Sequence, residues 1–332
     1  MMAQASSVEV MLPLHGPLPW IRPCLESLAR QKRAPDLVTL VDDRVDDRGA
    51  LEAFAENCLP GRYRILYSSG PGISSALNTV LDVAEGTHLL RIDADDVAMP
   101  DRITRQVEAL EHGGGRMGFC GSAVRLIDAN GRALGIERYP ESFEAIHADL
   151  YRKTSFCHPS VCFERARLLG LRYRSVLDGA EDLDLFLRLI EAGCRPINLP
   201  DQLLSYRVHS GQTSIAGRAR QTAVQELAWR AARARARFGA DPLETDPDLA
   251  QAFVAWRLAQ PGFAAARQAL TALRYASSSL RGGRPDAAVS NAAAALRALV
   301  SDTAATGRAL RMWREGLARL QFEVSPFSAL NA

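Results

Sequence analysis

The chain has almost no lysine: Lys32 and Lys153 are the only two among its 40 basic residues. Its positive charge is therefore nearly all guanidinium, a chain-wide bias rather than a basic patch, and no nucleic-acid partner is indicated. Paired cysteines are also missing. Cys24, Cys58, Cys120, Cys157, Cys162 and Cys194 are scattered, with no C-x-x-C and no histidine at metal-site spacing. That excludes a zinc module and a disulfide framework and fits a reducing cytoplasm. No apolar run approaches the ~18 residues of a membrane span. The start MMAQASSVEV lacks the charged-then-apolar form of a signal peptide, so export by that route is not expected. The glycine-rich loop of a dinucleotide-binding dehydrogenase is absent too, since the first apolar run continues Leu12-Pro13-Leu14-His15-Gly16-Pro17. No internal repeat stands out.

What is present is polarity along the chain. The net charge of +2 conceals a balance of −5 over residues 1–215 and +7 over residues 216–332. The first part alternates strand-like and helical patterns, the mark of an α/β layer fold. Val8–Leu14, Leu37–Val41, Arg64–Tyr67 and His88–Ile92 read as strands. Trp20–Gln31, Gly72–Ala84 and Pro100–Glu111 read as helices, with Ile73, Leu77, Val80 and Leu81 forming a buried stripe. Beyond the Gly113-Gly114-Gly115 break the pattern mixes: a hairpin from Phe119–Ile127 through Asp128-Ala129-Asn130-Gly131 to Ala133–Ile136, a strand over Phe156–Phe163, a helix over Glu181–Ala192 and a last strand over Leu203–Val208. From about Gly217 the composition turns to Ala and Arg at helical spacing, broken near Asp241-Pro242, Asp246-Pro247, Pro261-Gly262 and Gly282-Gly283. Two domains are expected, 1–215 and an all-helical 216–332 of four or five helices.

Three constellations carry chemistry. The strand His88–Ile92 runs straight into Asp93-Ala94-Asp95-Asp96. Carboxylates so close repel unless a cation lies between them, and Mg²⁺ or Mn²⁺ held by one or two carboxylates plus substrate phosphates is the simplest answer. A helix start is the competing reading, with Pro100 at the first helical position, Asp101 in the first turn and Asp96 before them; it leaves Asp93 and Asp95 without a purpose. Asp42 and Asp43 end the second strand, and in an open parallel sheet ligands gather at the carboxyl ends of strands, so two acidic ends on one rim make a pocket. In the second constellation Leu183, Phe186, Leu187 and Ile190 take core spacing, which puts Glu181 and Asp182 on the first helical turn. There they serve either as caps or, in a cleft, as a general base. The third, Leu203-Leu204-Ser205-Tyr206-Arg207-Val208-His209, delivers a guanidinium able to grip phosphate and an imidazole able to ligate metal.

Together these pieces resemble the glycosyltransferase family 2 enzymes with the GT-A fold, a Rossmann-like mixed sheet flanked by helices. The residues that carry the likeness are VEVMLPLHG from Val8, VDD at Val41–Asp43, GISSALN at Gly72–Asn78, AEGTHLLRIDADDVAMPDRITRQ at Ala84–Gln106, HPSV at His158–Val161, AEDLDLFLRLIEAG at Ala180–Gly193 and NLPDQLLSYRVHSGQTS at Asn198–Ser214. The resemblance implies an inverting transfer from a nucleotide-diphosphate sugar, a UDP-sugar by default, to a hydroxyl acceptor. It implies that Asp42 or Asp43 accepts a hydrogen bond from the base, that Pro13 and Leu14 line the base pocket, and that Asp93 lies near the ribose. Gly72, Asn78, Ala94 and Glu181 join the nucleotide-sugar site. Asp95 would hold Mg²⁺ or Mn²⁺, with His209 and Asp93 as further candidate ligands, Arg207 and Arg91 would face the diphosphate, and Asp182 would be the catalytic base. Asp96 reads as structural. Two departures stand out. Asp43 is followed by Arg44-Val45-Asp46-Asp47 where family members usually carry Gly-Ser-x-Asp, and Leu77 takes a position where many carry Arg.

The helical tail, as in Thr222–Phe238 with Val224, Leu227, Ala231 and Phe238 on one side, is expected to pack on the catalytic domain or to form a homodimer. Alternatively Arg230, Arg233, Arg235 and Arg237 form a face for peripheral contact with the anionic inner membrane, where lipid-linked acceptors lie. Acceptors compatible with the resemblance are a growing surface glycan, a lipid-linked intermediate or another hydroxyl compound. A phosphatase of the haloacid dehalogenase type is excluded because its acidic motif belongs on the first strand. A degenerate transferase domain acting as a scaffold is the remaining rival.

Overall fold

The computed structural model describes residues 6–209, 217–246, 248–260 and 263. These fall into two compact units, with breaks between Ser175 and Val176, Asp184 and Leu185, and Val208 and His209. The segment Val176–Asp184, which includes the first turn of a helix, groups with the second unit.

The first unit is built on a nine-stranded mixed sheet. Strands β1 (Val8–Gly16), β2 (Leu37–Val45), β3 (Tyr63–Tyr67) and β4 (His88–Arg91) form its parallel half in the order β3-β2-β1-β4. Val8, Val10, Leu12, Val38, Leu40 and Leu90 are wholly buried, because helices cover both faces of a parallel sheet. These crossovers are α1 (Ile21–Ala29), α2 (Arg48–Cys58) and α3 (Ile73–Val83). At β4 the polarity changes: β4 lies parallel to β1 but antiparallel to β8 (Cys162–Glu164). The sheet then runs through β6 (Phe119–Ile127) to β9 (Ile197–Arg207) and ends on the two-residue β5 (Val97–Ala98), with β7 (Ala133–Glu137) hairpinned to β6. Helix α4 (Arg102–His112) packs behind with Ile103, Val107 and Leu110 inward.

Three differences from the expected elements have local causes. The strand expected over Phe156–Phe163 begins only at Cys162, because Pro159 sits in a 3-10 turn over His158–Ser160. The last strand starts at Ile197, and its pairing with β6 skips Pro200 and Asp201 between Leu199 and Gln202, a bulge that accommodates the proline. Helix α2 and a short helix α5 (Phe143–Asp149) were not expected, although Asp47 and Ser142 cap them by accepting from Ala50 N and Ala145 N. A further turn of helix, α6, spans Arg165–Leu168, and α7 spans Glu181–Glu191. Its Phe186 stacks on Phe119, 5.2 Å between centroids.

The second unit contains α8 (Arg218–Phe238), α9 (Pro242–Thr245) and α10 (Leu249–Ala259). Its interior holds charge. Arg230 is buried against Glu226 (2.9 Å), which also binds Arg257 (2.8 Å), while Arg235 pairs with Asp241 at 3.0 Å and lies 3.7 Å from Asp184. The expected arginine face is thereby divided: Arg230 and Arg235 turn inward, and Arg233 and Arg237 outward. Phe238, expected on the apolar side with Val224, Leu227 and Ala231, is 54% exposed at the helix end. The gaps at Pro261-Gly262 and Gly282-Gly283 and the helices expected beyond them lie outside the described residues. No described helix is long and apolar enough to cross a membrane.

Candidate active site

Because β1, β2 and β4 are parallel neighbours, their carboxyl ends share one rim, and each ends in polar residues. At β4 the chain turns through Asp93–Asp96, closed by Asp96 N donating to Asp93 O. One carboxylate oxygen from each of Asp93, Asp95 and Asp96 lies within 4.8 Å of the others. Arg91, buried one step back on β4, grips Asp93 with both terminal nitrogens, at 2.6 and 2.7 Å. Asp96 is fully buried; its Oδ1 accepts from Arg207 N at 2.9 Å, and its Oδ2 has no hydrogen-bond partner among the described residues. Burial, with Asp95 and Asp93 close by, pushes the Asp96 carboxyl well above the usual carboxylate range. An unpartnered buried oxygen in a trio of carboxylates is the donor set of a hard divalent cation, so these residues fit Mg²⁺ or Mn²⁺.

The loop is held from every side. From α1, Cys24 Sγ donates to Asp93 O at 3.4 Å and Ser27 Oγ accepts from Ala98 N at 3.0 Å, and just beyond the helix Gln31 donates to Met99 O at 2.7 Å. The wholly buried Arg102 donates to Arg91 O at 2.6 Å. From β9 the buried Arg207 donates to Asp95 O (2.8 Å), Asp128 O (2.9 Å) and Ala129 O (3.1 Å), its guanidinium 5.2 Å from the Trp20 ring centre. Trp20 Nε1 reaches the same Ala129 O at 3.0 Å. Neither Asp96 nor Asp101 acts as the helix cap that the competing reading required. Asp101 occupies the cap position of α4 without a capping bond and pairs with Lys32 at 2.7 Å.

Along the rim, Asp42 accepts from Val45 N (2.8 Å) and Arg48 Nη1 (3.1 Å), and Asp43 accepts from Gly72 N (2.9 Å) and Arg44 Nε (3.1 Å). The β1–β2 register runs His15 to Asp43 and then Gly16 to Val45, so Arg44 is the extra residue of a bulge. Its φ of 62° is the single left-handed non-glycine backbone among the described residues. A cavity of about 640 Å³ opens there, lined by Asp42, Asp43, Arg44, Arg48, Tyr67 and Ser68 among others.

Several residues expected in the site are placed otherwise. Asn78 braces the main chain of Tyr173 through two bonds of 2.9 Å. Leu14 points into the core and Leu77 is wholly buried; Pro13 is buried beside them on β1, and Ala94 packs partly against the same core. Arg91 is committed to Asp93 and Arg207 to main-chain carbonyls. His158 of the HPSV segment is buried with Nε2 3.1 Å from the Tyr173 hydroxyl, and burial pushes its pKa well down. In the second unit Asp182 is half-buried on the first turn of α7, its Oδ1 2.7 Å from Leu183 N. Glu181 is buried, accepts from Gly179 N at 2.7 Å, and is pushed up to about 8 by burial and by Asp182. His209 is half-buried. Arg48 and Tyr67 were not anticipated. Tyr67, at the carboxyl end of β3, could have been found from the same rim rule.

A mixed sheet of this order, flanked by helices and with acidic strand ends on one rim, is the architecture of the GT-A class. The chain matches the family description "Glycosyl transferase family 2" over residues 9–170. It is 30% identical over 191 residues to the amylovoran biosynthesis glycosyltransferase AmsE of Erwinia amylovora, covering 56% of this chain and 70% of the relative. It is 32% identical over 143 residues to the O-antigen biosynthesis glycosyltransferase WbnJ of Escherichia coli, covering 42% and 55%. Among solved structures, the mannosyltransferase PcManGT of Pyrobaculum calidifontis, in complex with GDP-Man and Mn²⁺, superposes with a TM-score of 0.54 at 21% identity, covering 94% of this chain and 84% of that one. The chain belongs to glycosyltransferase family 2, and it is a transferase with the GT-A fold.

Proposed function

We propose that this glycosyltransferase moves a sugar from a nucleoside-diphosphate donor to a hydroxyl of a bacterial surface polysaccharide or its lipid-linked precursor, with inversion and with Mg²⁺ or Mn²⁺. The observation that carries the reading is the trio Asp93, Asp95 and Asp96 with its unpartnered buried oxygen, on the same rim as the cavity beside Asp42 and Asp43. AmsE and WbnJ, named for polysaccharide synthesis, support the choice of acceptor class. Residues 1–215 are assigned to catalysis, and 216–332 to packing, dimerisation or contact with the cytoplasmic face of the membrane.

Asp95 and Asp93 would hold the ion, with Asp96 Oδ2 behind them and His209 a ligand on resemblance alone. When bound, the ion neutralises the charge that grows on the departing diphosphate. Arg91 orients Asp93 and opposes the rise that burial imposes on its carboxyl, and Arg207 fixes the main chain that presents Asp95. Asp182 takes the proton of the acceptor hydroxyl as that oxygen bonds to the anomeric carbon and the bond to the diphosphate oxygen breaks. Glu181, beside Asp182, is a neutral acid over much of the working pH range. Base, ribose and diphosphate lie along the rim from Asp42 and Asp43 to Asp93.

A thermal-shift screen of sugar nucleotides with and without Mn²⁺, followed by hydrolysis of the best binder without acceptor, tests the proposal. Stabilisation by a sugar nucleotide that depends on Mn²⁺, with slow release of the nucleoside diphosphate, is expected. If no sugar nucleotide binds with or without Mn²⁺, the reading is lost.

A further inference from the structure

The lining of the rim cavity specifies more than a generic base. Both carboxylates there already hold cations: Asp42 carries Arg48 and Asp43 carries Arg44. Arg44 is 68% exposed and meets Asp43 through Nε, and its two terminal nitrogens have no partner among the described residues. Arg48, 30% exposed, is anchored by Asp42 and by Glu52 at 2.9 Å, with its guanidinium lying 4.1 Å from the centre of the Tyr67 ring. Tyr67 itself is 69% exposed at the end of β3. The cavity lining thus offers the open guanidinium fork of Arg44, the remaining terminal nitrogen of Arg48, the carboxylates of Asp42 and Asp43, and the face of Tyr67 turned away from Arg48.

Arg44 also holds an unfavourable backbone. A side chain in the left-handed region costs roughly 1 kcal/mol against glycine. Nothing in the bulge itself requires arginine, since its one side-chain bond, to Asp43, leaves Asp43 still held by Gly72 N. Strain retained at the lip of a cavity points to a ligand there.

We propose that the cavity selects guanine, so that the donor is a GDP-sugar rather than the UDP-sugar set as default by resemblance; the inference rests on the sugar-transferase reading above. A guanidinium fork needs two acceptors side by side, which guanine presents at O6 and N7. Uracil and thymine separate their two carbonyls by an N–H and present no such pair. Guanine also carries two adjacent donors, N1–H and N2–H, which suit the carboxylates, whereas cytosine has acceptors side by side but only one exocyclic donor group. A two-ring base covers more of Tyr67 than a pyrimidine does, and stacking of this kind favours the larger π-face.

Titration calorimetry of the full chain with GDP, UDP, CDP and dTDP, each with excess Mn²⁺, tests it, using the unaltered protein, Arg44→Gly and Arg48→Met. GDP is expected to bind about tenfold more tightly than the other three, the scale of one bidentate base contact. Each variant brings GDP down to the level of UDP and changes UDP by less than about twofold, since the interaction removed is the base-specific one. Arg44→Gly relieves strain rather than adding it, so its result stands even if Arg48→Met fails to fold. Equal or tighter binding of UDP, CDP or dTDP, or a uniform loss across all four in the variants, overturns the guanine assignment and leaves the transferase reading intact. Binding of none of the four overturns both.

Discussion

Replacing Arg207 by methionine separates two roles that a buried arginine beside a diphosphate site can have. Methionine keeps the length of the stem and its packing on Trp20 but removes three hydrogen bonds from a charged donor, to the carbonyls of Asp95, Asp128 and Ala129. Each such bond is worth about 1.5 kcal/mol at the low end. The Ala129 carbonyl belongs to an exposed turn where water replaces the lost donor, so the net cost is about 2–4 kcal/mol. That lowers the melting temperature by about 5 °C or more for a domain of this size. Because Asp95 is presented by the main chain that Arg207 grips, Mn²⁺ affinity measured without nucleotide also falls. Arg207→Lys, with one cationic donor group in place of a fork, recovers part of the stability. Denaturant unfolding and Mn²⁺ calorimetry on the same samples read both quantities. If Arg207→Met leaves stability and Mn²⁺ binding unchanged while nucleotide affinity collapses, the side chain is a phosphate ligand, and the positioning argument is wrong.

Three further outcomes follow from the same geometry. Asp95→Asn removes the Mn²⁺-dependent thermal shift, a stabilisation of about 2.7 kcal/mol at one hundred times Kd for the unaltered protein; an undiminished shift in the variant would show that the ion sits elsewhere. Glu181, held near 8 when folded and ordinarily near 4.5, binds its proton more tightly in the native state, so stability falls as pH rises from about 4.5 to about 8. The slope is at most about 1.4 kcal/mol per pH unit, and unfolding of Glu181→Gln across that range should be flatter; parallel curves would contradict the shift. Arg44→Gly gains at most about 0.6 kcal/mol once the ~0.4–1 kcal/mol of extra freedom of glycine in the unfolded chain is subtracted from the ~1 kcal/mol of relieved strain; urea denaturation reads the change, and a clear loss would mean that the bulge depends on the Arg44 side chain.

Much of the parallel half was legible because burial on both faces forces mostly apolar runs, and Val8–Leu14, Leu37–Val41 and His88–Leu90 show them, broken within only by Glu9 and Thr39. Helix α3 was legible for the same reason, through its stripe at Leu77 and Val80. Helix α2 was not, since it buries only Leu51 and Ala55 and leaves too narrow a stripe to see. The 3-10 turn at Pro159 and the bulge at Pro200 both interrupt strand patterns in ways that only pairing partners reveal. At the site, the clustering of Asp93, Asp95 and Asp96 could be anticipated because three carboxylates in four residues cannot separate far. Arg207, Arg91 and Asn78 show the limit: residue type announces a capacity to bind, while the direction of the side chain, set by β9, β4 and α3, decides what is bound. In each of these three the partner is part of the protein.

The grip of Arg207 on the acidic loop has a bearing on when the enzyme can work. Asp95 and Asp96 leave the ribosome more than a hundred residues before the strand that fixes them, the separations being 112 and 111 positions. Among the described residues the one sheet partner of β5, the short strand just after the loop, is β9, the last of the described strands in chain order. A nascent chain ending near residue 170 would carry every carboxylate of the trio and the cavity beside Asp43, yet lack the clasp that sets them. Assembly of the loop is therefore a signal that the first unit has been synthesised to its end, and a shortened product would be an inert one.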